Sequence, residues 1–233
     1  MPENPMLQDR LWLSKWCLSR RKRWIDVTIA TMALIGLSPV FVIIAAAIMM
    51  DSGLPIIFRQ RRVGRLQNEF QLFKFRTMTT TGSECATGLT QGGDIRVTAV
   101  GGILRKWKLD ELPQLVNVLR GEMTIVGPRP DMMKFWMLAT EVEREILFLT
   151  PGLTGAASIA FFDEEHLLTH VDRENLTDFY VKSILPAKAQ LDREYAKRAT
   201  FLSDCGIVLK TLYAPVLRSR TRKSQAYAPF SEQ

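Results

Sequence analysis

The longest apolar stretch of the chain, "WIDVTIATMALIGLSPVFVIIAAAIMM" from Trp24 to Met50, holds 27 residues and one charge, Asp26. A bilayer core takes about 20 apolar residues of helix, so a transmembrane helix is one reading. Two features favour another. Pro39 lacks a backbone N–H and clashes with the preceding turn, so Ser38-Pro39 kinks or breaks the helix mid-run, and Gly36 weakens the same turn. Both flanks are basic, "RRKR" at 20–23 and "RQRR" at 59–62, and positive charge marks the cytoplasmic side of a membrane. A helix that enters, breaks at Ser38-Pro39 and returns satisfies both features. Each half is then ~13 residues, about 20 Å, too short to cross alone. A plain span with a proline kink and a buried helix of a soluble core are the alternatives.

The rest of the pattern predicts an α+β fold, mostly helical with a small β-hairpin. Turn signals at Ser52-Gly53 and Gly64 bound "PIIFRQ" and "EFQLFKFRTM", the second placing Phe70, Leu72, Phe73 and Phe75 among polar residues, which reads as a hairpin. Residues 79–94 form a polar Gly/Thr loop. One helix is predicted from about Thr98 to Lys108, and a second from Asp110–Pro113 to Gly121, since proline suits a first turn and glycine ends helices. Residues 121–131 are a short apolar run into a rigid turn. Met132–Phe148 reads as a helix that "TPGLTG" at 150–155 breaks, and the last third is helical again over Asp178–Thr200 and Phe201–Leu217. The last of these has an apolar face and basic ends (Arg218, Arg220, Arg222, Lys223), which fits a helix lying on a membrane surface or an ordinary helix facing a core.

At 233 residues and 47% hydrophobic composition the chain can bury one ordinary core or two small ones. The pattern divides it into an N-terminal segment with the broken helix (1–50), a catalytic domain (51–217) and a basic, flexible tail (218–233). A formal net charge of +7 asks for an acidic partner: nucleic acid, anionic lipid or a phosphorylated small molecule. The basic patches are poorly interleaved with aromatic residues, which argues against single-stranded nucleic acid. Cys17, Cys85 and Cys205 are too widely spaced for a CxxC pair, as suits a reducing compartment, and no signal-peptide cleavage site follows the apolar run.

Candidate chemistry centres on "LRKWKLDELPQL", where Asp110 and Glu111 stand side by side behind Arg105, Lys106 and Lys108. Successive helical residues point about 100° apart, so one carboxylate can reach a substrate while its neighbour takes a metal, a proton or a cation. At a helix N-terminus Asp110 is placed for phosphate, with a divalent cation relieving the repulsion; simple N-capping is the bland alternative. Arg129 in "VGPRPD" is stiffened by Pro128 and Pro130 and could bind phosphate bidentately, or be a surface arginine on a turn. Asp94, Arg96 and Arg105 in "GGDIRVTAVGGILRK" add weakly to a diphosphate-plus-metal pattern. His166 and His170 have metal-helix spacing but lack the glutamate of HExxH and a third ligand, so a surface helix is expected there. The chain has no GxxxxGK[ST], GxGxxG or GxSxG motif.

These pieces in this order resemble the bacterial sugar transferase family, the monotopic polyprenyl-phosphate phosphoglycosyl transferases. The likeness rests on "KRWIDVTIATMALIGLSPVFVIIAAAI" (22–48), "GLPIIFRQRRVGR…FQLFKFRTM" (53–78), "DIRVTAVGGILRKWKLDELPQLVNVLRGEMTIVGPRP" (94–130) and "TPGLTG" (150–155). No multi-helix region precedes them, so the chain looks like the minimal form. The resemblance implies a re-entrant helix broken at Ser38-Pro39, a magnesium ion and a UDP-sugar donor. It places the enzyme at the bacterial inner membrane, active site on the cytosolic face. Asp110 would attack the sugar-proximal phosphate and expel UMP. Polyprenyl (undecaprenyl) phosphate would take the phosphosugar, opening the assembly of an exopolysaccharide, O-antigen, capsule or glycoprotein glycan. Glu111 would act as base or share the metal with Asp110, and Arg105, Arg129, Arg96, Lys74 and Arg76 would meet phosphates. After "PGLTG" the commonest members continue with a Trp-Gln-containing segment where this chain has "AASIAFFDEEHLL", a departure that bears on the sugar and not on the reaction. Two rivals remain from the residues alone: a membrane-anchored basic docking module without catalysis, and a metal-dependent phosphohydrolase built on the same acids.

Overall fold

The computed structural model describes residues 12–79 and 88–221. It is α+β, mostly helical, with a two-stranded antiparallel hairpin and a two-stranded parallel pair. Residues 80 to 87 of the predicted 79–94 loop, and the predicted tail beyond 221, lie outside the described residues.

Helices α1 (Arg20–Gly36) and α2 (Ser38–Ser52) meet at Leu37 with a 61° bend. Pro39 has no N–H to return to the carbonyl of Ile35, and the Ser38 hydroxyl donates to that carbonyl instead, at 2.7 Å. The pair together has the length and composition of a span, and among the described residues no single helix is long and apolar enough to cross a membrane.

The apolar run is not uniformly free, however. The first half of α1 docks on the domain along Lys22, Asp26 and Ala30, residues spaced four apart on one face. Asp26 is buried and accepts from the Thr124 hydroxyl (2.5 Å) and the Ile125 N–H (3.2 Å). Arg23 donates to the carbonyls of Val118 and Leu119, closing the C-terminus of the helix they end. The single charge of the run therefore marks where it enters protein. Further on, Ile44 and Ile48 of α2 pack with Phe75 and Leu104, while Met32, Ile35, Val42, Ile43 and Met50 stay exposed. That exposure removes the reading of a fully buried core helix.

The hairpin pairs β1 (Ile57–Val63) with β2 (Glu69–Phe75) from Ile57↔Phe75 to Val63↔Glu69. Helix α3 (Ala99–Lys106) starts on Thr98, whose hydroxyl accepts from the Gly101 N–H at 3.0 Å. Lys108 then takes a left-handed conformation (φ 56°) and turns the chain into a 3₁₀ turn, Leu109–Glu111, ahead of α4 (Gln114–Arg120), which Gly121 ends at φ 82°. The acids thus lie in the turn before the helix, not in its first turn.

Strand β3 (Thr124–Val126) runs parallel to β4 (Gly152–Thr154), a pairing the apolar run and the "TPGLTG" breaker did not reveal. Glycine permits it: a Cβ on Gly152 would lie 2.2 Å from the Gly127 nitrogen. The helix expected over Met132–Phe148 is broken into α5 (Met133–Leu138), α6 (Glu141–Arg144) and a 3₁₀ turn. Thr140 and Glu143 form a capping box that begins a new helix at that point.

Short helices α7 (Ala156–Ala160), α8 (Glu164–Leu168) and α9 (Leu176–Phe179) lead through a π-turn (Tyr180–Ile184) into α10 (Leu185–Arg198) and α11 (Phe201–Thr221). Helix α11 faces the core on one side and leaves apolar residues exposed on the other. Ile207 and Val208 pack against the core shared by α1, α4 and β3, while Leu202, Leu209, Leu212 and Tyr213 are exposed. Asp204 anchors it, pairing with Lys22 and accepting from Trp16 (2.8 Å) and Tyr195 (2.5 Å).

Candidate active site

Asp110 and Glu111 are both buried, and neither caps a helix through its side chain. N-capping therefore does not explain the pair. Their surroundings differ sharply. The Arg129 guanidinium holds Glu111 with two nitrogens, Nη1 3.0 Å from Oε2 and Nη2 2.5 Å from Oε1, and Lys74 Nζ lies 3.3 Å from Oε1. Burial alone would raise the Glu111 pKa, but Arg129 and Lys74 outweigh it and hold the carboxyl well below its ordinary range. Asp110 Oδ1 is buried without a hydrogen-bond partner among the described residues. Burial pushes the Asp110 pKa up, Lys74 opposes this, and the Glu111 charge adds to it.

The scaffold that sets this geometry is polar and buried. Asn117 on α4 accepts from the Phe73 N–H (3.1 Å) and donates to the Gln71 carbonyl (2.7 Å), locking α4 to β2 and so Lys74 beside Glu111. Sequence reading missed Asn117; its one signal is an amide on an otherwise apolar helical face, "LVNVL". Across the site, the Gly127 N–H donates to the Thr154 carbonyl (2.9 Å) and the Gly152 N–H to the Pro128 carbonyl (2.7 Å), which fixes the turn that presents Arg129.

Of the five cations expected at phosphates, Lys74 and Arg129 meet on Glu111. Arg105 points elsewhere, donating to Thr90 (3.2 Å) and pairing with Glu165 (3.2 Å). With Lys106, Lys108 and Phe162 it lines a cleft of about 260 Å³. Arg96 binds Asp94 at the rim of this cleft, at 2.9 and 2.6 Å, and that hydrogen bonding holds the Asp94 pKa down at about 2. Arg76 is buried and donates to the carbonyls of Ser52 (2.6 Å), Gly53 (2.5 Å) and Leu54 (2.7 Å), closing the end of α2. Its guanidinium is engaged structurally, away from the carboxylate pair. His170 turns its ring on the His166 carbonyl (3.2 Å), and among the described residues no group of three or more His, Cys, Asp or Glu could hold a metal ion.

A family model described as bacterial sugar transferase matches residues 17–218. The chain belongs to the bacterial sugar transferase family. Among related members, the exopolysaccharide production protein ExoY of Sinorhizobium fredii is 35% identical over 211 residues, which cover 84% of this chain and 85% of the relative. The UDP-glucose:undecaprenyl-phosphate glucose-1-phosphate transferase of Escherichia coli is 34% identical over 202 residues, 82% of this chain and 39% of the relative. The UDP-N-acetylgalactosamine-undecaprenyl-phosphate N-acetylgalactosaminephosphotransferase of Aeromonas hydrophila is 38% identical over 144 residues, 59% of this chain and 33% of the relative. The chain thus spans about a third of that last sugar transferase and most of ExoY. The relatives' names differ in the sugar, so membership of the family leaves the sugar open.

Proposed function

We propose that this sugar transferase moves a sugar-1-phosphate from a UDP-sugar to undecaprenyl phosphate, releasing UMP, with Asp110 as the covalent nucleophile. The observation that carries the assignment is the unequal state of the two acids. Glu111 has both oxygens engaged by cations, whereas Asp110 has an oxygen with no partner among the described residues. An oxygen held by a guanidinium is a poor nucleophile; the unpartnered one has no hydrogen bond to give up before it attacks.

A carboxylate oxygen of Asp110 attacks the sugar-proximal phosphorus, a P–O bond forms, and the bond to the UMP phosphate breaks with its electron pair leaving on UMP. A phosphate oxygen of undecaprenyl phosphate then attacks the same phosphorus and Asp110 leaves as a carboxylate. Arg129, fixed by Glu111 and the flanking prolines, offers guanidinium edges to the transferring phosphate. Lys74 and the Arg105–Lys108 wall add positive charge.

Asp110, through its unpartnered oxygen, would be the main protein ligand of magnesium, which takes one or two protein carboxylates and completes its shell with substrate phosphates and water; Glu111 would share only a lone pair left by Arg129 and Lys74. Bound there, it would neutralise phosphate charge that the buried acids otherwise repel. The exposed apolar residues of α1, α2 and α11 support seating on the cytosolic face of the inner membrane, with the bent pair dipping in and returning.

The test is UMP release by the purified full-length chain over a panel of UDP-sugars, with and without undecaprenyl phosphate. Transfer of label to the lipid supports the reading. Free sugar phosphate in place of a lipid product would make the protein a hydrolase, and silence with every donor would favour a docking module.

A further inference from the structure

Behind the Arg129 turn lies a buried polar chain that the proposed chemistry does not use. Tyr180, in the π-turn, is fully buried, with its ring 4.6 Å from that of Phe135. Its hydroxyl donates to Asp131 Oδ2 at 2.8 Å and accepts from Lys188 Nζ at 3.0 Å. Lys188, on α10 and only 5% exposed, also pairs with Glu164 of α8 at 2.5 Å. The other oxygen of Asp131 lies 3.6 Å from Arg62, which reaches the Pro130 carbonyl at 3.4 Å. Donors and acceptors run in one direction, from Lys188 through Tyr180 to Asp131.

Such a chain needs a reason. Burying an ammonium and a carboxylate is expensive, and apolar side chains of similar volume usually serve stability as well. The turn in front supplies one. Backbone bonds hold the turn at Gly127 and Pro128 and again at the Asp131 carbonyl, which accepts from the Val63 N–H at 2.9 Å, but Pro128 and Pro130 remove the two donors that flank Arg129 itself, so side-chain bonding at Asp131 adds to what sets its angle. Asp131 is the first residue after the prolines, and its side chain fastens the far end of the turn to α9–α10.

We propose that Tyr180 and Lys188 are positioning residues for Arg129: the Lys188–Tyr180–Asp131 chain, footed on Glu164, sets the angle at which the Gly127–Asp131 turn delivers the guanidinium to Glu111 and the donor phosphate. The inference rests on the proposed role of Arg129 in the transfer. Glu164 sits in the segment where the chain departs from the family's common pattern, so that segment reaches the catalytic turn through Lys188.

The experiment is a mutant cycle on UMP release by the full chain, because coupled residues lose activity non-additively. Tyr180→Phe keeps the ring and removes the hydroxyl. It is expected to lower kcat about tenfold, whereas Leu176→Ala, a truncation in the same core cluster, destabilises the protein and keeps kcat within about twofold. In an Arg129→Lys background Tyr180→Phe is expected to lose less than about twofold further. Should Tyr180→Phe fold poorly, Lys188→Met is read through the same cycle. Parent-like kcat in Tyr180→Phe, or a further loss of about threefold or more in the Arg129→Lys background, would overturn the proposal. Only ratios between variants are read, so additive losses sink the relay and leave the transferase reading standing.

Discussion

Arg129 embraces Glu111 from the far side of the site, two nitrogens on two oxygens at 3.0 and 2.5 Å. A planar fork is the only cation that fits both oxygens at once. Arg129→Lys keeps the charge and loses one prong. Its kcat for UMP release should fall at least about tenfold, a loss of ~1.4 kcal/mol of transition-state stabilisation. Parent kinetics in that variant would reduce the pair to a structural tie.

Asp110 and Glu111 should separate in a half-reaction. With UDP-sugar alone, the enzyme is expected to release UMP in near-stoichiometric amount and to gain the mass of one phosphosugar on the peptide holding Asp110. Added undecaprenyl phosphate should discharge it. Asp110→Asn should show neither adduct nor turnover, while Glu111→Gln should turn over poorly yet retain some adduct. A general-base role for Asp110 would instead give no adduct and UMP only when both substrates are present. Intact-protein mass spectrometry separates the two.

Removal of divalent ions with a chelator should abolish both half-reactions, and added magnesium should restore them, because two buried acids facing a diphosphate need a counter-charge. Full activity in chelator would take the metal out of the mechanism.

The bend at Leu37 predicts a topology. Lys15 and Gln67 flank the bent pair and are both exposed, so single-cysteine labels at the two positions should both be shielded from the periplasm. Periplasmic labelling of either would mean that the pair spans the bilayer. Pro39→Ala restores the N–H that Ile35 lacks and should straighten the pair; unchanged labelling in that variant would assign the bend to the docking of α1 and α2 on the domain.

Local rules made part of this molecule legible. Alternation and flanking turns located the hairpin, and Thr98 and Gly121 marked helix ends where the structure has them. The T-x-x-E spacing of Thr140 and Glu143 also announced a helix start, but the apolar periodicity over Met132–Phe148 hid it. Non-local pairing was not legible. Strands of three residues, β3 and β4, carry too little periodicity to read, and what admits them is the backbone contact of Gly127 with Gly152. The acid pair was visible as a motif, yet which acid is held and which is free depends on Arg129 and Lys74 arriving from elsewhere in the chain. Asp26 was visible only as the single charge of the apolar run, and its anchoring role depends on Thr124 and Ile125, distant in the chain.

Asp192, on α10, predicts how stability depends on pH. It is 3% exposed, accepts from the Ala157 N–H at 3.0 Å, and faces the charges of Lys188 and Asp131. Burial raises its pKa to about 7, from 3.8 in the unfolded chain, against the opposing pull of that hydrogen bond and of Lys188. The folded state therefore binds the proton more tightly, and stability falls as pH rises from about 4 to about 7 and levels off above. At ~1.4 kcal/mol per pH unit the loss is on the order of 4 kcal/mol. Asp192→Asn keeps the acceptor for Ala157 and removes the charge. Its melting temperature should match that of the parent near pH 4, rise above it progressively to pH 7, and hold that lead at pH 8. Other carboxylates titrate in both proteins, so the difference between the two melting curves isolates Asp192. A difference that stays constant between pH 5 and pH 8 would show that Asp192 is ionised in the fold throughout, with its charge balanced by Lys188.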